Sequence, residues 1–394
     1  MPSPPFDLIL GGIPRFGAEA PWAWRLARRF ARQMPARRIS EVRGRKPVVA
    51  DLAGQEPLVI VWADPEAYLA PAAAGRLVAT LEAFPGADLV MPVSNEAWTD
   101  EARHAPSFAY STPTDLLEAA RLAADSAAAP FPIDLPRSPV FAARRSALEK
   151  LPVTLALEEA PPAVRLAGGR ALADPRAYLH RYAEMDAQAR ADLAQKVPTG
   201  ARTVLDVGCS RGATAPALRG RGVTRIVGIE PDAEDAAAAA RLYDRVLDVH
   251  LEAVPPGEFG PEFDAVLFGD VLEHLVDPSD ALARVRPWLT GRGAVIASVP
   301  NVGHWSIVSD LLAGRFDYIP YSLLSGTHLR HFTRATIRDL FEACGYAIES
   351  IDTVRLTPSP GGAAKLAFLS SWPGASADLD VAEFLVVATP ERET

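Results

Sequence analysis

Runs of apolar residues alternate with amphipathic stretches along the whole chain, the pattern of an α/β protein with a largely parallel sheet. In the first part, strand-like runs at 7–10, 57–62 and 87–92 are separated by stretches at 21–34 and 72–84 with apolar residues at helical spacing. A further helix is expected over 114–128, with Thr114 as N-cap before Leu116, Leu117, Ala120 and Ala124. Between Ala156 and Asp174 Pro, Gly and Ala accumulate, marking the edge of this unit, and 178–197 reads as a helix leading to Pro198-Thr-Gly200. The alternation then restarts. Strands are expected at 203–207, 225–229, 265–268, 294–299, 347–354 and 383–388, and helices at 213–219, 233–243, 278–289 and 334–343. Thr333 suits the cap of the last helix, and Gly345 the left-handed position after it.

A chain of 394 residues is long for one domain. The pattern divides it into an α/β domain over 1–155, a linker and helix over 156–197, and a second α/β domain over 198–394. With 49% hydrophobic and 23% charged residues the composition is that of a globular protein. No uncharged apolar run approaches the roughly 18 residues of a membrane span, and the start carries no basic-then-apolar leader, so the expected location is the cytoplasm. Two cysteines, Cys209 and Cys344, cannot build a disulfide framework.

Charge is uneven. Residues 1–196 carry 23 basic and 23 acidic side chains, and 197–394 carry 17 and 26, so the net charge of -9 belongs to the second half. Holding nucleic acid would call for a basic stripe. No nucleic-acid partner is expected, and the balance favours a small molecule or a glycan. A basic run from Arg25 through Arg28, Arg29, Arg32, Arg37, Arg38, Arg43 and Arg45 to Lys46 reads first as a solvated helix face, with Trp22, Leu26 and Phe30 turned inward. Its sharper alternative is peripheral contact with a membrane surface, an anionic glycan or a diphosphate carrier.

The segment Val204-Leu-Asp-Val-Gly-Cys-Ser-Arg-Gly212 ends a strand and feeds a helix, which places it at the carboxyl edge of a doubly wound sheet, where ligands bind. Gly208 and Gly212 keep side chains away from a ligand lying against the backbone. A dinucleotide loop wants glycine where Ser210 stands. Asp206 would repel a pyrophosphate but attract an ammonium, which points to a cationic cofactor. Glu230, at the end of the next strand and before Pro231, suits both hydroxyls of a ribose.

These residues resemble the class I S-adenosylmethionine (SAM)-dependent methyltransferases over about 178–390. Asp264-Ala-Val-Leu-Phe-Gly-Asp270-Val-Leu-Glu273-His274-Leu-Val-Asp-Pro278 resembles the fourth strand and its loop, Ser298-Val-Pro-Asn301-Val-Gly-His304-Trp305 the fifth, and Gly326-Thr-His328-Leu-Arg330-His331-Phe-Thr333 the segment before the last helix. The resemblance implies a Rossmann-like, doubly wound, seven-stranded sheet with SAM as cofactor. Asp206, Gly208 and Gly212 are then expected at its methionine end, Glu230 at the ribose and Asp270 beside the bound molecule; Cys209 and Pro231 are counted with them as cofactor-binding residues, Cys209 being read as a small residue that fits the tight turn. Two departures are visible. Asp248-Val-His250 leaves the adenine contact unassigned, and Ser325 and His331 replace the family's frequent Asp and Phe.

Such relatives often methylate sugars, glycan precursors or other small hydroxylated acceptors, so O-methylation is expected. A hydroxyl must lose its proton, and histidine titrates in the right range. The candidate bases rank His328 and His304 first, then His274, with His331 nearby, while Glu273 could orient a histidine or the acceptor. Trp305, Tyr318 and Tyr321 read as core packing, with acceptor lining as the alternative. Asp270, Glu273 and His274 give no closed ligand set by spacing, so no metal is expected.

The first domain weakly resembles the A-type glycosyltransferase fold over about 8–151. Only Asp64-Pro65-Glu66 stands where that family holds a metal on a diphosphate, and this favours a degenerate, substrate-docking domain. Two other readings stay open: a bifunctional glycosyltransferase-methyltransferase, and a SAM-binding scaffold without chemistry.

Overall fold

The computed structural model describes residues 5–12, 21–65, 67–95, 112–125, 127–181, 189–319 and 322–391. The chain forms two compact units: Met1–Ala183 with Arg315–Gly326 and Pro358–Ala363, and Glu184–Gly314 with Thr327–Thr357 and Ala364–Thr394.

The first unit contains strands β1 (Phe6–Gly12), β2 (Ala36–Arg43), β3 (Leu58–Trp62), β4 (Ala67–Leu69), β5 (Leu89–Ser94), β6 (Phe131–Pro132), β7 (Val140–Arg144) and β8 (Ala171–Arg181). Their order is β2-β1-β3-β7-β5-β8-β4, with β6 paired to β8. The sheet is mixed rather than largely parallel, because β7 runs antiparallel to both β3 and β5 and β4 antiparallel to β8. β1, β3, β5 and most of β7 are buried on both faces, which explains their continuous apolar runs.

Three local readings are corrected here. Residues 178–181 continue β8 instead of starting a helix, because their backbone pairs with β4 and β5; among the described residues of the expected helix, Ala191–Lys196 is helical. The span read as linker holds the helix Ala160–Leu166 and most of β8. The helix near Thr114 begins one residue earlier, Pro113–Ala124, with Pro fitting its first position.

The basic run is split. Its first part lies on the helix Pro21–Ala31, where Leu26 and Phe30 are buried as expected, and its second part on the exposed edge strand β2 and the turn that follows. Charge on an edge strand discourages pairing with another chain. Acids also meet it: Glu41 accepts from Arg28 and Arg43, Asp51 from Arg45, and Glu158 from Lys46. The side chain of Trp22, and Glu66 and Tyr321, lie outside the described residues.

The second unit contains β9 (Thr203–Val207), β10 (Arg225–Ile229), β11 (Arg245–Leu247), β12 (Phe263–Gly269), β13 (Leu289–Pro300), β14 (Tyr346–Arg355) and β15 (Val381–Pro390). The order is β11-β10-β9-β12-β13-β15-β14. The first five strands are parallel, and β15 runs antiparallel to both β13 and β14. This is a doubly wound α/β sheet. From β9 the chain winds outward through β10 and β11, then returns to the other side of β9 as β12. The switch point therefore lies between β9 and β12, and the carboxyl ends of these two strands frame a ligand crevice.

Side chains alternate across β9: Leu205 and Val207 join the core on one face, and Val204 the core on the other. Asp206 shares the Val204 face. The helix Arg334–Ala343 has the expected bounds, with Thr333 as its cap and Gly345 at φ +75°. Two helices, Trp305–Leu312 and Pro360–Ser370, were not read from the sequence. Among the described residues no helix is long and apolar enough to cross a membrane.

Candidate active site

The loop after β9 turns through three left-handed residues, Gly208 (φ +69°), Ser210 (φ +45°) and Gly212 (φ +79°). The glycines make room for protein as well as for a ligand. A Cβ on Gly208 would stand 2.6 Å from Val271 Cγ2, and one on Gly212 2.8 Å from Tyr243 Cε2 and 3.1 Å from the Ala239 backbone. Cys209 sits beneath the loop. Its N–H donates to the Ile229 carbonyl at 3.2 Å, its own carbonyl accepts from Gly212, and its thiol fills the space that Gly228 leaves. Burial pushes the thiol pKa up. Its side chain packs inward, as a small residue in a tight turn does.

The Glu230 carboxylate is held by two backbone donors, Ser210 N–H at 2.8 Å and Asp232 N–H at 2.9 Å, one on each oxygen. A carboxylate oxygen has two lone pairs, so each retains capacity to accept a hydroxyl. Burial raises this carboxyl above its ordinary value, and the two backbone bonds oppose the rise. Asp206 is buried beside it. Burial pushes its carboxyl up to about 6; the hydrogen bond from the Tyr243 hydroxyl at 2.6 Å opposes this, and the Glu230 charge adds to it. Pro231 is exposed.

β12 ends at Gly269, and Asp270 follows at φ +54°. Its N–H donates to the Ser298 hydroxyl at 2.8 Å, and that hydroxyl donates to Asp270 Oδ1 at 2.9 Å. Arg190 binds the second Asp270 oxygen, reaches Ser298 and Glu383 at 2.9 Å each, and forks onto Asp192 at 2.8 and 3.0 Å. Desolvation would raise the Asp270 carboxyl, but Arg190 overrides it and holds the group low. Glu383 moves the other way: burial and the Asp270 charge push it up to about 8. Arg190 and Glu383 carried no sequence signal, since one lay in an expected helix and the other in an ordinary apolar strand.

The histidines separate. His304 caps the helix Trp305–Leu312: its Nδ1 accepts from Ser306 N–H at 3.4 Å and lies 2.8 Å from the Ser306 hydroxyl. Its Nε2 is buried with no partner among the described residues, and burial depresses the ring to about 4. His331 is half-buried, and burial lowers it too. His274 and His328 stack edge-on, with ring centroids 4.8 Å apart, and His328 Nε2 stands 4.0 Å from Glu273 Oε1. Glu273 is 1% exposed, and neither carboxylate oxygen has a hydrogen-bond partner among the described residues. Burial raises its carboxyl well above the ordinary range, and the Asp270 charge adds to this. Trp305 is buried and packs with Leu369 and Leu379, as core packing predicts.

Residues 173–351 match the family model described as a methyltransferase domain. The second unit carries a SAM-dependent methyltransferase domain. Among curated relatives, the tRNA U34 carboxymethyltransferase of Shewanella amazonensis is 38% identical over 107 residues, 25% of this chain and 32% of that protein. The ubiquinone biosynthesis O-methyltransferase of Thiobacillus denitrificans is 32% identical over 139 residues, 34% of this chain and 58% of the relative. The chain thus spans between about a third and three fifths of these two relatives. A solved SAM-dependent methyltransferase from Mesorhizobium loti aligns with 50% of the chain and 95% of its own length, at 19% identity and a TM-score of 0.35. The cofactor of the methyltransferase domain is SAM. The residues fit it: strand ends at the switch point, two buried acids that form no ion pair among the described residues, and a glycine loop between them suit a ligand that is positively charged at one end.

Proposed function

We propose that this protein transfers the methyl group of SAM to a hydroxyl oxygen of a small acceptor, with sugars and glycan precursors as the leading class. The observation that carries the reading is the pair of buried carboxylates, Asp206 and Glu230, at the ends of adjacent parallel strands. The Glu230 charge adds to the proton affinity of Asp206, so the niche favours the sulfonium and ammonium of SAM over a phosphate. In this reading Asp206, Gly208 and Gly212 line the methionine end, Glu230 and Pro231 the ribose, and Asp270 flanks the bound molecule. The ubiquinone-pathway relatives are O-methyltransferases by name, which supports oxygen as the accepting atom.

Transfer is an in-line displacement: the O–C bond forms as the C–S bond breaks, and the hydroxyl proton leaves to a base. Orientation of the two partners can lower the barrier by about 7–11 kcal/mol. We assign the base to His328 or His274, on loops at the carboxyl edge, ahead of His304, whose Nδ1 serves a helix cap. The first unit is read as a substrate-docking domain of glycosyltransferase-A-like architecture without transferase chemistry. Asp64 stands just past β3, and its carbonyl accepts from the Trp62 indole at 2.9 Å. We place the protein in the cytoplasm, with no nucleic-acid partner.

Calorimetric titration with SAM and a screen of methyl-labelled SAM against sugars, nucleotide sugars and lipid-linked glycans test the proposal. Absence of SAM binding at high micromolar concentration sinks it, and label found only on nitrogen or carbon removes the oxygen assignment. Nucleotide-sugar hydrolysis by the full chain would favour the bifunctional reading.

A further inference from the structure

The loop after β12 and the segment before the helix Arg334–Ala343 are sewn together by the main chain. The Glu273 carbonyl accepts from the N–H groups of both Leu329 (2.8 Å) and Arg330 (2.9 Å). This places His328, the residue before Leu329, over the short helical turn Leu272–His274. One donor atom from each of Glu273, His274 and His328 then falls within 4.8 Å of the others. Spacing had argued against a closed ligand set because it considered only one side of this junction.

Three features point to a cation. Glu273 is buried and neither oxygen accepts a side-chain hydrogen bond among the described residues, His328 Nε2 standing 4.0 Å away; a buried carboxylate is costly unless a proton or a positive charge meets it. His274 Nδ1 lies 3.2 Å from the Thr327 carbonyl, which can only accept, so Nδ1 carries the proton and Nε2 the lone pair. A backbone carbonyl on the far ring nitrogen is the usual way a metal-binding histidine is oriented. The donor set, two imidazoles and one carboxylate, leaves coordination positions open.

We propose that Glu273, His274 and His328 form a binding site for a divalent first-row transition metal. Zn²⁺ is held more tightly than Mn²⁺, and Mg²⁺, which prefers an all-oxygen octahedron, most weakly. Zinc bonds of about 2.0–2.2 Å require the donors to close by roughly 1 Å, within reach of side-chain rotation. An acceptor hydroxyl in an open position would be acidified, as metal-bound water is. That consequence, unlike the site, rests on the methyl-transfer reading.

The test uses the full chain, stripped with chelator and titrated separately with Zn²⁺, Mn²⁺ and Mg²⁺ by calorimetry. Co²⁺ absorption reports the geometry, and SAM is titrated in parallel. The expected result is one equivalent of Zn²⁺ and the affinity order above. His328→Ala and Glu273→Gln should each weaken Zn²⁺ by at least about 100-fold, the upper end of what losing an outer hydrogen-bond partner costs. SAM binding serves as the folding control for both variants, and His274→Asn replaces either one that fails it. No Zn²⁺ bound by the parent at millimolar concentration, or variants that bind as tightly as the parent, overturns the site. A parent that binds SAM but no metal loses only this proposal; one that binds metal but not SAM supports it and sinks the methyl-transfer reading.

Discussion

The Tyr243 hydroxyl donates to Asp206 Oδ2 at 2.6 Å and closes the inner wall of the loop after β9. The ring that makes this bond also occupies the space a Cβ on Gly212 would need. Loop shape and acid position are therefore set by one side chain.

Burial raises Asp206 to about 6, against about 3.9 in an unfolded chain. Between these values the unfolded chain has released a proton that the folded chain keeps. Its contribution to stability is present below about pH 4 and is lost as pH rises through about 6. A cationic cofactor favours the ionised carboxylate, so SAM binding should release a proton and tighten between about pH 5 and 7. Tyr243→Phe removes a bond that favours the ionised form; it should shift this rise upward and cost about 1–3 kcal/mol of stability. Calorimetry across pH and urea unfolding measure both, and a flat affinity profile would refute the assignment.

Glu383, raised to about 8 by burial and the Asp270 charge, keeps its proton at pH 7. Glu383→Gln should then change stability by less than about 1 kcal/mol at that pH. The parent should lose stability as pH rises from about 4.5 through about 8, and the variant should show a shallower decline. Arg190→Met strands Asp270 and Asp192, which are partly exposed, so about 2–4 kcal/mol is expected after allowing for solvent screening. Denaturant unfolding at two pH values distinguishes these outcomes.

His304→Ala should cost about 1 kcal/mol through loss of the helix cap, and His304→Asn, which can still accept from the backbone, much less. Removing a general base lowers rate by about 10²–10⁴. The Asn variant should show no such loss. A fall of that size with SAM affinity intact would return the base role to His304.

The second sheet was legible because its signals are local. The apolar runs at 203–207 and 225–229 coincide with β9 and β10, and Thr333, Gly345 and the periodicity between them delimit the helix Arg334–Ala343. The loop was readable for the same reason, since Asp206, the glycines and Glu230 each stand at the end of a recognisable strand. Residues 178–181 were misread because helical spacing and a strand buried between partners look alike in a short apolar segment, and only pairing with β4 and β5 separates them.

The sequence by itself determined the doubly wound unit, the carboxyl edge at which the loop after β9 stands and the acids beside that loop, because strand ends and their acids lie within a few residues of each other. The tertiary structure alone decided which distant groups meet there. It brought Arg190 to Glu383, 193 positions away, and His328 to Glu273 across a pair of backbone hydrogen bonds. It also gave the Cys209 thiol its place against Gly228 and the His304 Nδ1 its helix cap, since such partner geometry arises only when the strands are laid side by side.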